Sequence, residues 1–427
     1  MEDMAMKKIG LIVQRYGRQV NGGAEVLARM VAEKLALKYD ITVLTSRALD
    51  YHFWEPELPE GESEENGVKI IRFDHKPKAT AKKVHRLNRQ YRGRHLYQKF
   101  YKFIGEPSWY LKLFPTTEIS EKDGLLWVEN QGPATYGLIK YLQENKKDYD
   151  VFIFVTYLYY PTVMGLLEVP NQSIFIPTMH DEQPAYFPIF KKIMAAPRSL
   201  MFLTASEKKF SNELFDIVNI RQDVMSVGIE TVDERKAIEV IKKFNIKGKY
   251  IVYVGRIDAA KGCKELLKYF TKFIDQNNKS ITLVLVGKNM IDARVNKNII
   301  YAGFVSDEEK EQLMKHSEAL IIPSKYESLS LVVLESFACR VPVIANGECE
   351  VLKDHIENSN GGWTYTNEDE FTAVLKKVIE GSENVLKGLN GYEYVTNNYS
   401  WQKAMSIFDD AIDFVINVNS NDKHAKL

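Results

Sequence analysis

Short apolar runs rich in Val, Ile, Leu and Phe recur along the chain and alternate with stretches whose apolar positions return at helical spacing. In the first half the runs fall at 9–13, 41–45, 68–73, 151–156, 174–179, 201–204 and 224–227. In the second half they fall at 250–255, 281–287, 299–302, 319–322 and 341–345. Continuous apolar runs of this length predict strands buried on both faces, and their alternation with helices predicts parallel sheets covered on both sides. The polar segment 230–249 separates the strands into two sets. The expected fold class is therefore α/β, with two doubly wound, Rossmann-like parallel-sheet domains, each taking ligand at the C-terminal ends of its strands. The stretch past Asn417 is expected to be a flexible tail.

Composition narrows this only modestly. A length of 427 residues suits two domains, and 45% hydrophobic with 11% aromatic residues is ordinary for a water-soluble globular chain. Lys and Arg number 57 and so do Asp and Glu, so no global charge points to nucleic acid. Cys263, Cys339 and Cys349 have no metal-like spacing and are expected as reduced thiols of a cytoplasmic protein. No segment approaches the roughly 20 apolar residues of a membrane span.

The densest chemistry lies in IIPSKYESLSLVVLES, where Glu327 and Glu335 are separated by seven residues. The pattern reads as a buried strand, a loop from Pro323, and a helix opening near Leu329. The amides of Ser328, Leu329, Ser330, Leu331 and Val332 would then lie at a helix N-terminus, a ready phosphate site. Glu327 would sit in the loop, and Glu335, about two turns into the helix, would be placed to accept hydrogen bonds from ribose hydroxyls. Spacing alone carries little, since such glutamate pairs arise by chance. A second element adds weight: GRIDAAKG, 255–262, follows the first strand of the second half and sets Arg256 and Lys261 at a sheet mouth, where two cations suit a diphosphate.

In the first half, Gly22 and Gly23 precede a helical stretch and could bring backbone amides to a phosphate or sugar. His180, followed by Asp181, directly ends an apolar strand, at the edge of a sheet where ligands bind. It is not read as a metal ligand, because no second histidine stands three or four residues on. The triplet DYD, 148–150, precedes a strand at its N-terminal end and reads as a capping turn. Between 76 and 104 ten Lys or Arg residues, among them Lys82, Lys83, Arg86 and Arg89, occur without an acidic residue and are interleaved with aromatics. That segment is either a basic amphipathic helix for an anionic membrane surface or acceptor, or an excursion whose aromatics pack on the domain.

Six motifs in order, GGAE, MHD, VGRIDAAKG, LVG, YAGFVSDEE and ESLSLVVLE, resemble glycosyltransferase family 4, the retaining, sugar-nucleotide-dependent enzymes of the GT-B fold. The resemblance covers almost the whole chain and is strongest over 250–362. It implies two facing domains around a central cleft, bounded as 1–229 on the acceptor side and 230–395 on the donor side. YSW, 399–401, resembles the family's closing segment and implies that 396–427 holds a helix returning to the first domain. Arg256 and Lys261 would hold the donor diphosphate, aided by the amides of Ser328 to Val332. Glu335 would bind ribose, Glu327 the donor sugar, and His180 would lie beside the anomeric centre. Backbone near Gly303 and Phe304 would recognise the base, and Gly22 and Gly23 would approach phosphate or sugar across the cleft. No metal and no cofactor is implied. Many family members carry glycines where this chain has Ser328, Leu329 and Ser330.

The resemblance implies a retaining transfer of a hexosyl group from a UDP- or GDP-linked sugar to a glycan or lipid-linked acceptor in bacterial surface polysaccharide synthesis. The protein would be cytoplasmic or peripheral on the inner face of the membrane, with nucleic acid not expected as a partner. A sugar-nucleotide epimerase or a phosphorylase of the same architecture, and a non-catalytic nucleotide-sugar-binding subunit, are the competing readings.

Overall fold

The computed structural model describes residues 6–20, 22–50, 53–76, 120–225, 227–229, 239–277, 281–292 and 296–424. The chain divides into two compact units, Met1–Met225 with Met405–Leu427, and Ser226–Ala404. Lys82, Lys83, Arg86 and Arg89 lie outside the described residues.

The first unit holds β1 (Lys8–Ile12), β2 (Asp40–Ser46), β3 (Gly61–Glu65), β4 (Val68–Phe73), β5 (Val151–Val155), β6 (Ser173–Ile176), β7 (Ser199–Phe202) and β8 (Arg221–Val224). They form one sheet in the order β3-β4-β2-β1-β5-β6-β7-β8. Every neighbouring pair is parallel except β3 with β4. Strand β5, VFIFV, is buried at all five positions because helices cover both faces. Phe152, Phe154, Phe175, Phe190 and Phe202 fill the core of this unit. Two departures from the hydrophobic pattern have one cause. β3 is GESEE, and β8 is the polar RQDV rather than the expected 224–227. Both are edge strands, which take charge without cost and blunt unwanted pairing.

The second unit holds β9 (Tyr250–Val254), β10 (Thr282–Val286), β11 (Ile299–Gly303), β12 (Ala319–Ile322), β13 (Val343–Asn346) and β14 (Gly362–Tyr365). All are parallel, in the order β11-β10-β9-β12-β13-β14. This is the doubly wound arrangement in which the chain starts in the middle, builds one way, then returns to build the other. Its crevice opens between the first and fourth strands, at the C-terminal ends of β9 and β12. β14 was not expected, because its sequence, GWTY after Gly361, reads locally as a turn.

The C-terminal helix runs Trp401–His424. The expected flexible tail past Asn417 is thereby corrected: NVNSND contains no proline or glycine to stop the helix. Within the first unit Asp409 accepts from Lys38 Nζ at 2.7 Å and Tyr39 Oη at 2.5 Å, and the Asp410 carbonyl accepts from Arg221 at 3.1 Å. Among the described residues, no helix is long and apolar enough to cross a membrane.

Candidate functional site

In the second unit the loop leaving β9 and the loop leaving β12 meet at the switch point. Gly262 has φ +75, and a Cβ there would stand 2.3 Å from the Pro323 carbonyl oxygen, so only glycine lets the two loops touch. Lys261 follows from this contact. Its Nζ donates to Glu327 Oε1 at 2.7 Å, with both side chains partly buried. Asp258 Oδ1 accepts from the Lys261 amide at 2.8 Å and Asp258 Oδ2 lies 3.4 Å from Arg256, so one carboxylate shapes the whole loop. Tyr253, buried in the sheet, donates to the Arg256 carbonyl at 2.6 Å and fixes where that residue leaves the strand.

The second loop is anchored from beneath. Asn346 Nδ2 donates to the Pro323 carbonyl at 3.0 Å. His355, 2% exposed, lies 2.8 Å by Nε2 from the Leu329 carbonyl and 3.2 Å by Nδ1 from Tyr394 Oη. A carbonyl can only accept, so Nε2 carries the proton and Nδ1 takes one from Tyr394. Tyr394 Oη in turn lies 3.1 Å from Tyr399 Oη. Burial holds the His355 imidazole below its ordinary range, which matches the neutral form that this chain of bonds requires.

Three local expectations change. The helix opens at Leu331, not near Leu329, so Ser328 and Leu329 precede it and Ser330 is its N-cap. Ser330 takes φ +60 and ψ +70, a left-handed conformation that glycine adopts freely and other residues adopt at a cost of roughly 1–2 kcal/mol. The helix stops being continuous with the loop for that reason. Consequently Glu335 lies just over one turn in, not two. Its carboxylate accepts from Lys310 Nζ at 3.0 Å. Burial opposes the charge on Lys310, but Glu335 and Asp307 outweigh it and raise the ammonium above its ordinary range. Lys310 is presented by the helix Asp307–Lys315, whose start is fixed by a reciprocal capping box between Ser306 and Glu309. Gly303 ends β11 and Phe304 follows it with 71% of its surface exposed.

In the first unit Gly22 is the N-cap and Gly23 the first residue of the helix Gly23–Leu35. Glu25 in its first turn is buried and accepts from Gln14 Nε2 at 2.8 Å and from Arg15 Nε and NH2 at 3.0 and 2.5 Å. This ion pair ties the loop after β1 to the helix. His180 does not directly follow its strand: β6 ends at Ile176, and Thr178 takes φ +52 before the histidine. A β-branched residue with positive φ breaks the ladder, which is why the apolar run is longer than the strand. At 148–150, where a capping turn was expected, Asp150 bonds instead to the neighbouring strand β1: its carboxylate accepts from the Lys8 amide at 2.8 Å and its own amide donates to the Lys8 carbonyl at 2.9 Å.

Residues 234–387 match the family model described as glycosyl transferases group 1. The second unit carries a glycosyl transferases group 1 domain. Glycosyltransferase MJ1607 of Methanocaldococcus jannaschii, described as uncharacterized, is 28% identical over 172 residues, 36% of this chain and 42% of that protein. TuaC of Bacillus subtilis, named for teichuronic acid biosynthesis, is 26% identical over 195 residues, 42% of this chain and 49% of that protein. The chain thus spans under half the length of these curated relatives. HepE of Anabaena, solved in complex with UDP and glucose, is similar in structure with a TM-score of 0.64 at 12% identity, covering 95% of this chain and 99% of that one. The fold is therefore GT-B, two parallel-sheet α/β domains.

The group 1 domain contains every donor-side residue expected from sequence, and its topology brings Arg256, Lys261, Glu327 and the 328–332 segment to one sheet edge. His180, Gly22 and Gly23 belong to the other unit. Sequence reading missed Asp258, Tyr253, Lys310 and His355 in the group 1 domain. Asp258 lay inside a quoted motif, but His355 acts from 26 residues away in sequence and gave no local signal.

Proposed function

We propose that the chain is a retaining glycosyltransferase of family 4 that moves a hexosyl group from a UDP- or GDP-linked sugar to a glycan or lipid-linked acceptor. The observation that carries this reading is the contact between Lys261 and Glu327 across the switch point, where a cation and a carboxylate from two loops converge. Arg256 and Lys261 hold the donor diphosphate, with the amides of Ser328 to Val332 adding partial positive charge. Glu335 takes the ribose hydroxyls, Glu327 the sugar hydroxyls, and the backbone at Gly303 and Phe304 the base. His180 and the backbone of Gly22 and Gly23 are the first unit's contribution.

As the bond from the anomeric carbon to phosphate oxygen lengthens, its electron pair passes to the leaving diphosphate. Fixed cations stabilise that growing charge more than they stabilise the intact donor, which lowers the barrier. The acceptor hydroxyl attacks from the same face, and its proton passes to the departing phosphate oxygen. Neither glutamate forms a covalent intermediate, and the two cations make a catalytic metal ion unnecessary. The name of TuaC and the UDP and glucose bound to HepE support a nucleotide-sugar donor and a surface polysaccharide product.

The test is to incubate the protein with a panel of UDP- and GDP-sugars and candidate acceptors, following diphosphate release and the anomeric configuration of the product. Retention with loss of transfer in Lys261→Ala and Glu327→Ala is the expected outcome. Inversion at the anomeric carbon, unchanged transfer by either variant, or epimerised donor without transfer overturns it.

A further inference from the structure

We propose that Glu182 is a positioning residue for His180, holding its imidazole through Nε2 while Tyr157 holds the carboxylate. This rests on the reading of His180 as a residue of the transfer reaction. His180 Nε2 lies 3.3 Å from Glu182 Oε1, and the same oxygen accepts from Tyr157 Oη at 2.6 Å. Tyr157 is fully buried and packs edge-on against Phe190 at 4.8 Å between centroids, while its amide donates to the Pro177 carbonyl at 3.0 Å. The hydroxyl is therefore fixed by the core, and the carboxylate is fixed by the hydroxyl.

The segment bearing the imidazole is held as firmly. Glu207, fully buried at the start of the helix Ala205–Leu214, accepts from the Met179 amide at 2.6 Å and from the Leu203 amide at 2.7 Å. The Glu182 amide donates to the His180 carbonyl at 2.7 Å, and Tyr186 donates to Asp181 at 2.8 Å. Backbone and ring are thus set separately: Glu207 holds the loop, and Glu182 holds the imidazole. Burial pushes the Glu182 carboxyl up, but His180 and Tyr157 pull it further down, so it stays ionised and can only accept. A carboxylate paired with one imidazole nitrogen fixes both its tautomer and its orientation.

The consequence falls on turnover and not on donor binding, because Glu182 sets only the His180 ring, whereas Arg256, Lys261 and Glu335, which carry the donor diphosphate and ribose in this reading, belong to the second unit. In the intact protein, proton NMR should show a downfield imidazole N–H signal, slow to exchange with water, which disappears on replacing His180. Glu182→Leu should remove that signal and lower kcat about 100-fold, the scale of a misplaced reacting group, with donor KM unchanged. Glu182→Gln, which keeps an accepting oxygen, should restore part of both. Tyr157→Phe, which removes only the hydroxyl, should weaken the signal and lower kcat less. A Glu182→Leu protein that keeps the downfield signal, or one that keeps wild-type kcat, overturns the proposal. If the wild-type protein transfers no sugar, the proposed function fails, while the N–H signal still decides whether Glu182 holds His180.

Discussion

Replacing Gly262 by Ala tests whether the contact between the two loops builds the donor side. Two effects add. The φ of +75 disfavours any residue with a Cβ by roughly 1–2 kcal/mol. The new methyl would stand 2.3 Å from the Pro323 oxygen and 2.9 Å from its carbonyl carbon, so that peptide must withdraw by about 1 Å to reach ordinary contact. The same oxygen accepts from buried Asn346, and losing that bond adds about 1–3 kcal/mol. The total is about 2–5 kcal/mol, and the loop bearing Glu327 moves away from Lys261. Gly248 supplies the control, because it has φ +73 and a methyl added there would meet nothing within 4 Å. Gly248→Ala should cost only the backbone term, about 1–2 kcal/mol. Urea unfolding followed by tryptophan fluorescence measures both, and titration calorimetry with UDP measures the donor side. A Gly262→Ala protein no less stable than Gly248→Ala, with UDP affinity unchanged, refutes the reasoning.

Ser330→Gly should stabilise the protein by about 0.5–1 kcal/mol in the same urea assay, since it relieves a left-handed serine whose buried Oγ lacks a hydrogen-bond partner among the described residues. His355→Leu leaves the Leu329 carbonyl and the Tyr394 hydroxyl short of a partner and should cost roughly 2–4 kcal/mol. In the wild type the folded state holds His355 below its unfolded value, so its contribution is present above about pH 6.5 and is lost as pH falls; urea midpoints measured from pH 7 to 5 should show this slope shrinking in the variant. Burial pushes the Glu207 carboxyl from 4.5 to about 8, although the Met179 and Leu203 amides pull against it. The folded value is the higher one, so that contribution is full below about pH 4.5 and is lost as pH rises through 8, a fall of roughly 5 kcal/mol. Glu207→Gln should flatten that slope while costing about 1–3 kcal/mol at pH 5, because its amide nitrogen faces a backbone N–H; an unflattened slope refutes it.

The sequence by itself determined the two-sheet α/β plan and most strands, because strands covered by helices on both faces must be apolar throughout. Val68–Phe73 and Ala319–Ile322 coincide with the expected runs. It also named Arg256, Lys261, Glu327 and Glu335, since cations and acids at strand ends are visible in one dimension. It could not show the edge strand Gly61–Glu65, whose polarity is what an edge requires, nor the break after Ile176, where hydrophobicity outlasts the ladder. Tertiary structure alone decided which side chains pair. Lys261 meets Glu327 because parallel strands β9 and β12 are neighbours although the two residues stand 66 positions apart, and Gly262 lets their loops close. Lys310 reaches Glu335 and His355 reaches Leu329 in the same way. Hydrophobic period reports burial, which is a property of one segment; hydrogen bonds between loops depend on strand order, which belongs to the sheet.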